Sequence, residues 1–417
     1  MKTGIILFFL LLLSIQPIAA QKICNTYSYS QSILTHQPQI REKVLAVENF
    51  MANHAGRFTQ EQQKMQSGII TIPVVVHVIY HTQEEKISEA KVYEQIKKLN
   101  ECFRRQNADT VKTPDRFKPL AADCEIEFKL AISDSRRRGT DGITYHYTPI
   151  REWKANDEMK FAASMGVDAW DTKSYLNIWV CNLGSVAGYS SVLGGPENVD
   201  GVVIDYTAFG KNPNSGITNL GKTAVHEIGH WLGLKHLWGD EHCGDDGIDD
   251  TPRQAGYNVG CPSGIRISCN NGPNGDMYMN YMDFTNDACM NMFTQGQKAR
   301  MLSLFESGGI RQSLLLSKGL DKPLIAESPA PDNDPKWLEV KIFPNPASST
   351  ITIDLSYDIR WIGKNIKIFN IQGQLVKNVI VSSRIQEIDI SHLQPGMYFL
   401  AAKKDDGESM RQRFIKL

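Results

Sequence analysis

The residues best placed to do chemistry are His226, Glu227, His230, Gly233 and His236, which fall in an H-E-x-x-H-x-x-G-x-x-H pattern. Imidazoles four residues apart sit on one helix face about a turn apart, so His226 and His230 can share one metal ion. Glu227, one position on, then stands beside the ion rather than on it. Gly233 can take the left-handed conformation that ends a helix and bends the chain, which returns His236 as a third ligand. Three neutral imidazoles with an open fourth position predict a catalytic zinc rather than a closed structural one. Such an ion would acidify a bound water, and Glu227 would take the proton as the water attacks a carbonyl carbon.

A helix carrying this pattern needs a sheet to hold it. Residues 70 to 80, ITIPVVVHVIY, form a β-branched run rich enough to be a strand buried on both faces. Ser88 is placed to cap a helix running to about Arg105, with Val92, Ile96, Leu99 and Phe103 on one stripe. Ile126, Phe128 and Leu130 alternate with charged residues as a second strand, and Tyr175 to Leu183 makes a third. Gly201 to Tyr206 is expected as a fourth, at the sheet edge because Gly-rich loops flank it, where an extended polypeptide could pair backbone to backbone. Thr223 then leads into the histidine-bearing helix.

From Leu237 to Asn291 regular structure fades into Gly, Asp and Asn with four cysteines, a composition that predicts an ordered, cross-linked loop region. Thr294 and Gln297 form a capping box that opens a last helix through Met301 and Leu304. Residues 318–336 carry Pro323, Pro329, Pro331 and Pro335 and read as a linker. Beyond them, short alternating strands around turn pairs predict a small β-sandwich.

The chain has 417 residues, enough for two or three domains, and its 41% hydrophobic content is that of a globular protein. Its net charge of -1 gives no reason to expect nucleic acid or an anionic membrane as partner. Residues 1–20 combine Lys2, an apolar run from Ile5 to Leu13 and Ala19-Ala20, the pattern of a secretory signal peptide cut before Gln21. That run is too short for a stable membrane span, so none is expected after signal removal. Export makes disulfides permissible, and all eight cysteines lie beyond the signal. Residues 21–66 are polar, without a clear period, and are expected to be a prosegment. Residues 67–317 would be the catalytic domain and 337–417 the C-terminal one.

With the histidine pattern in hand, the chain resembles the metzincin zinc proteases, whose second mark is a Met in a tight turn beneath the metal. Met282, in Asn280-Tyr281-Met282-Asp283, lies 46 residues after His236, in the fitting place. The segments NLGKTAVHEIGHWLGLKHLWGD, DDTP, NYMDF and FTQGQKARM resemble the pappalysin family of secreted endopeptidases over about residues 70 to 308. The resemblance implies an α+β fold, with a mixed five-stranded-type sheet and the active-site helix over an irregular disulfide-linked lower half. It also implies the pairs Cys243 with Cys269 and Cys261 with Cys289, where the sequence alone allows three connectivities. Each bridge would contribute on the order of 2 to 4 kcal/mol to a loop-rich half with little core. Cys102 and Cys124 could meet at one end of the sheet as a third pair, and Cys181 reads as a buried free thiol.

Asp245, Asp246, Asp249, Asp250 and Thr251 lie where pappalysin-like enzymes bind calcium, and crowded hard oxygens suit that ion; a solvated acidic loop is the alternative. The family's acidic residue behind the Met-turn falls on Asp287, which implies a pocket for Arg, and less well Lys, just after the scissile bond. The alternative is a carboxylate that only caps a loop turn beside the disulfide, and Asp283 nearby could do either job. Many relatives place a Tyr two residues after the turn Met; here it is Phe284, with Tyr281 as the possible substitute donor. Cys24, in the prosegment, could occupy the fourth position on zinc, as in the cysteine switch of related zymogens.

The tail resembles a second family. Phe343-Pro344-Asn345-Pro346, the stretch from Ile366 to Gly373 with Leu375-Val376, then Leu393 to Phe399, and finally Arg413-Phe414-Ile415-Lys416 are similar to the C-terminal sorting domain of the type IX secretion system. That implies export by this machinery, through the periplasm and outer membrane to the cell surface or medium. A carbohydrate-binding sandwich, with Trp361 and Trp337 as stacking platforms, is the rival reading of this region. For the whole chain the expectation is a secreted, zymogen-derived zinc endopeptidase acting on polypeptides. A catalytically idle zinc-binding adhesin, with Phe284 as its support, is the rival from another class; a cell-wall amidase lacks the histidine spacing.

Overall fold

The computed structural model describes residues 22–55, 68–326 apart from 215, 340–404 apart from 356, 357, 359 and 360, and 409–417. The expected signal at 1–20, the prosegment's residues 56–66 and linker residues 327–336 lie outside the described residues, as does Trp337.

The first half is built on a seven-stranded sheet whose strands are β1 (Ile23–Cys24), β2 (Ile70–Tyr80), β3 (Ile126–Leu130), β4 (Ile143–Tyr147), β5 (Leu176–Cys181), β6 (Val186–Ser190) and β7 (Val202–Asp205). The β-branched run makes β2 the spine, buried along almost its whole length. One flank of β2 pairs in parallel with β3 along its first half and with β4 along its second, and the other pairs in parallel with β5. Next come β7, parallel to β5, and β6, antiparallel to β7. The short β1 pairs in parallel with β6 and closes the sheet.

This order corrects one expectation. Val202–Asp205 is an interior strand buried at every position, and the free flank of the 68–326 segment is β6. The sequence of β6, VAGYS, has too few large apolar residues to read as a strand, and flanking glycines mark loops on either side of an interior strand as readily as an edge.

Residues 22–55 are also more regular than their polarity predicts. After β1 come α1 (Thr26–His36) and α2 (Arg41–His54), which bury only Tyr29 and Met51 respectively. Helices that contribute one buried anchor each have no stripe for a periodicity reading to find.

Helix α3 (Glu89–Phe103) is capped by Ser88, whose hydroxyl accepts the Lys91 N–H at 3.3 Å. Its buried stripe of Val92, Ile96, Leu99 and Phe103 packs into the same core as β2, β3, β5 and helix α4 (Lys222–Trp231). All ten residues of α4 are buried. Gly221 and Gly233 flank α4 with φ of 75° and 84°, and a side chain at Gly233 would also collide with Met51. The left-handed turn at Gly233 is what reverses the chain toward His236.

Below α4 the chain is mostly loop, joined by Cys243–Cys269 and Cys261–Cys289 and ending in α5 (Gln295–Ser303) with its Thr294/Gln297 capping box. Cys102 and Cys124 do not bridge: both are free and buried. The ends of their elements do meet, the Cys124 N–H donating to Phe103 O at 2.7 Å. Burial pushes the Cys102 thiol up to about 11. Cys181 is likewise free and buried.

The C-terminal segment holds β8 (Lys341–Phe343), β9 (Thr350–Asp354), β10 (Asn365–Asn370), β11 (Leu375–Ile380), β12 (Ile385–Asp389), β13 (Gly396–Lys403) and β14 (Ser409–Lys416). They form a four-stranded antiparallel sheet, β11-β10-β13-β14, and a three-stranded one, β12-β9-β8. Ile351, Ile353, Ile366, Ile368, Leu400 and Phe414 share one core with Trp361. Only 1% of Trp361 is exposed, so it offers no stacking platform to a sugar.

Candidate metal and catalytic site

Helix α4 and the turn at Gly233 bring His226, His230 and His236 together as the spacing requires. Their Nε2 atoms form a triangle with sides of 3.1, 3.1 and 3.3 Å. Each Nδ1 is engaged on the other side of its ring: His226 with Tyr281 O at 2.6 Å, His230 with Leu234 O at 2.8 Å, and His236 with Asp240 Oδ1 at 2.5 Å. Carbonyl and carboxylate oxygens only accept, so Nδ1 carries the proton in all three and the Nε2 lone pairs face one point. Burial pushes the pKa of His226 down to about 3, with His236 adding to the effect, and burial likewise lowers His230. Neutral imidazoles are what a metal needs.

A tetrahedral zinc with bonds of about 2.0 to 2.1 Å would hold its nitrogens about 3.3 Å apart, and a thiolate at about 2.3 Å would lie about 3.6 Å from each. Cys24 Sγ lies 3.6 Å from His230 Nε2, and the four ligand atoms of Cys24, His226, His230 and His236 lie within 4.8 Å of one another. The three Nε2 atoms therefore fit a zinc site, and the Cys24 thiol stands beside them.

Glu227 is wholly buried, and burial raises its pKa to about 7. Its Oε2 accepts the Thr26 hydroxyl at 2.8 Å and lies 3.5 Å from Cys24 Sγ, while Oε1 has no partner. Thr26 also accepts the Ser190 N–H at 2.9 Å, and Lys22 pairs with Asp205 at 2.7 Å. The segment around Cys24 thus lies across the cleft and is tied to both the acid and the edge strand. Neither Thr26 nor Asp240 stands out in the sequence alone; Asp240, four residues after His236, is the one a search for carboxylate partners of a ligand histidine could find.

Met282 lies directly beneath α4, so close that a methyl group on Gly229 would come within 2.6 Å of its sulfur. Tyr281 is fully buried, with its hydroxyl away from the metal side near Cys102, so it does not replace the absent Tyr. Phe284 instead packs 4.8 Å from His236 and 5.6 Å from His226, with Trp238 stacked on His236 at 4.5 Å and Tyr257 5.3 Å from Phe284.

Asp287 is 2% exposed, and its Oδ2 accepts the N–H groups of Leu220 and Lys222 at 2.8 and 3.1 Å, capping the start of α4. It also lines the cavity bounded by Ala187, Thr223, Met290 and Glu227, into which Ile23 and Cys24 reach. The two readings of Asp287 are therefore compatible. Asp283 holds the lower loop by accepting from Gln254 and Asn258. Among the acidic cluster, Asp245 pairs with Arg253 on the surface, and Asp250 caps α5 through Thr294 and Gly296. Asp246 is buried, accepts from Ile248 N and the Thr251 hydroxyl through Oδ1, and leaves Oδ2 without a partner.

Comparison with known proteins agrees with this geometry. Residues 161–306 match the family described as Pregnancy-associated plasma protein-A, and residues 341–416 match the Secretion system C-terminal sorting domain. An extracellular metalloprotease of Pyricularia oryzae is 34% identical over 249 residues, spanning 57% of this chain and 75% of that one. Mature mirolysin of Tannerella forsythia in complex with a cleaved peptide superposes with a TM-score of 0.58 at 47% identity, covering 60% of this chain and 97% of that one. A promirolysin mutant from the same organism superposes with a TM-score of 0.65 at 43% identity, covering 71% and 97%. The chain accordingly belongs to the pappalysin family of secreted zinc metalloendopeptidases, and it carries a type IX sorting domain at its C-terminal end.

Proposed function

We propose that the chain is a latent precursor of an endopeptidase that cleaves extracellular polypeptides ahead of Arg, or less well Lys. In this reading residues 1–20 direct export, 21–66 hold the enzyme latent, 67–317 perform catalysis with Gly319 to Ile325 bonded onto them at Ile132, Ser133, Arg137 and Gly139, the rest of 318–336 links, and 337–417 engage the type IX secretion machinery. His226, His230 and His236 hold zinc through Nε2, Cys24 fills the fourth position before activation, and Met282 supports the site from below. When bound there, zinc polarises the scissile carbonyl and acidifies the attacking water.

Once Cys24 and Thr26 have left, Glu227 has both oxygens free. One accepts the water proton and passes it to the leaving amine. The substrate takes the place of β1 on the β6 edge, bonding to the backbone that Asn25 N engages at Gly188 O. A guanidinium entering the cavity beside Asp287 would meet a buried carboxylate hydrogen-bonded by the Leu220 and Lys222 backbone N–H groups, with the Lys222 and Lys98 charges also acting on it. Asp246 and Thr251 are the members of the acidic cluster best placed to bind calcium.

The observation that carries this reading is the Nε2 triangle with every Nδ1 tied off and Glu227 beside it. Its test is Glu227→Gln, which keeps the shape but cannot accept the proton. The variant should bind zinc like the parent and cleave casein about 10²- to 10⁴-fold more slowly; near-parent cleavage would remove Glu227 from this role.

A further inference from the structure

Between Cys24 and Tyr29 the N-terminal segment crosses the rim of the cleft. Gly188 faces α4, since a Cβ there would touch Glu227 Cγ at 3.0 Å. Tyr189, the next residue of β6, therefore points to the opposite face of the sheet. It packs there with Trp179, Val203 and Ile79, in a core separate from the one that holds α4. Tyr29 follows it to that side. The Tyr29 ring is 3% exposed and lies 4.8 Å from the Tyr189 ring, and its hydroxyl donates to Asp157 Oδ2 at 2.5 Å.

Ile33 and Val44 of the N-terminal segment also pack on this cluster, but the polar frame of the socket is assembled without that segment. Asp157 Oδ1 accepts the Tyr189 hydroxyl at 3.1 Å and pairs with the fully buried Lys160 at 2.8 Å, and Lys160 also donates to Val199 O. Lys160 lies over the Trp179 and Tyr189 rings at 5.0 and 5.1 Å. Asp157 holds this position with a left-handed backbone, φ 67°. When residues 22–55 depart, an aromatic wall and a buried carboxylate oxygen lose their occupant while the groups that fix them remain.

We infer that this socket is a second polypeptide-binding site of the activated enzyme, on the face of the sheet away from the metal, which takes a tyrosine side chain of the substrate. The ring packs on Tyr189, and the phenol replaces the Tyr29 hydroxyl on Asp157. Phenylalanine fits the same walls but leaves the carboxylate oxygen unpaired, so the socket selects tyrosine. The inference rests on the proposal that residues 21–66 are removed on activation.

The test uses activated enzyme and a fluorescein-labelled peptide of residues 27–37, which contains Tyr29 but neither Cys24 nor Thr26. Fluorescence anisotropy should detect binding that weakens about tenfold or more when the peptide carries Tyr29→Phe. Saturating parent peptide should slow casein cleavage and leave turnover of a short fluorogenic substrate unchanged. In the Asp157→Asn enzyme the two peptides should bind alike while short-substrate turnover persists; if that variant fails to fold, the peptide pair alone decides. No binding, equal binding of the two peptides to parent enzyme, or inhibition of the short substrate would overturn the socket. Amino-terminal sequencing of the active species separates the two readings. A start at or before Cys24 overturns latency and the socket together, whereas a start between Asn25 and Tyr29, which leaves Tyr29 in place, or a start beyond residue 66 with no Tyr preference overturns the socket alone.

Discussion

Thr26 donates its hydroxyl to Glu227 Oε2 at 2.8 Å and accepts the Ser190 N–H at 2.9 Å, so one side chain occupies both the proton acceptor and the substrate edge. Latency in this reading has two locks, Cys24 on the metal and Thr26 on the base. Thr26→Val removes the hydroxyl while keeping the shape. Losing a hydrogen bond to a charged group costs about 1.5 to 3 kcal/mol, so open precursor should rise roughly 10-fold or more. The initial rate of unprocessed precursor on a quenched peptide reads this directly, with Cys24→Ala as the stronger case. Equal basal rates in Thr26→Val and parent would assign latency to Cys24 alone.

Asp287 gives a pH signature for specificity. Burial raises its pKa to about 6, against the lowering by the Leu220 and Lys222 N–H groups. Pairing with a guanidinium needs the ionised form, so the preference for Arg over its neutral isostere citrulline after the cut should be full above pH 7. It should decline as pH falls through about 6, and Asp287→Asn should abolish both the preference and its pH dependence. The stability sign is opposite: the unfolded chain releases this proton at lower pH than the folded one, so this group's contribution falls as pH rises from about 4 to 6. The ratio of kcat/KM for the two peptides from pH 5 to 8 is the measurement, and a flat ratio rejects the role.

The metal centre was legible because its determinant is local: helix period places His226 and His230, and one glycine places His236. The β2 and α3 segments were legible for the same reason, each declaring its burial by β-branched density or a stripe. What escaped depends on distant pairing. β6 is a strand because β7 lies beside it, not because VAGYS favours one, and without β6 the interior Val202–Asp205 looked like an edge. Helices α1 and α2 are anchored by single residues, Tyr29 and Met51, in sockets that other segments build. Cys102 and Cys124 likewise follow from topology as neighbours, yet both remain free and buried.

Among the three histidines, only His236 donates its Nδ1–H to a carboxylate, that of Asp240. A carboxylate acceptor orients the ring and strengthens its Nε2 as a ligand, and losing such a partner typically weakens metal affinity about 10- to 100-fold. Asp240 has φ 62°, a backbone region that Asn also tolerates, so Asp240→Asn removes the charge with little strain. We expect zinc to be lost to a competing chelator at correspondingly lower chelator concentration, with the thermal unfolding of zinc-saturated variant close to the parent. Unchanged zinc affinity would reduce Asp240 to a structural contact.

The last prediction concerns Asp246, which is 2% exposed with one oxygen satisfied and the other buried without a partner. Burial raises its pKa to about 7, and the neighbouring Asp245 adds to the rise against lowering by Thr251 and Ile248. A carboxylate so placed must either keep its proton or gain a cation. Because its folded pKa lies above the unfolded one, the cation-free protein should lose stability as pH rises from about 4 to 7. A bound calcium ion would compensate the charge and flatten that dependence. Calcium at about 100 times its dissociation constant would add about 2.7 kcal/mol, a rise in Tm of several degrees for a domain of this size. The measurement is a calcium titration of desalted protein at pH 8 with zinc held saturating, followed by thermal unfolding of parent and Asp246→Asn. The parent should rise with calcium and the variant should not. A parent Tm indifferent to calcium, or an equal rise in Asp246→Asn, would leave this carboxyl as a protonated structural group.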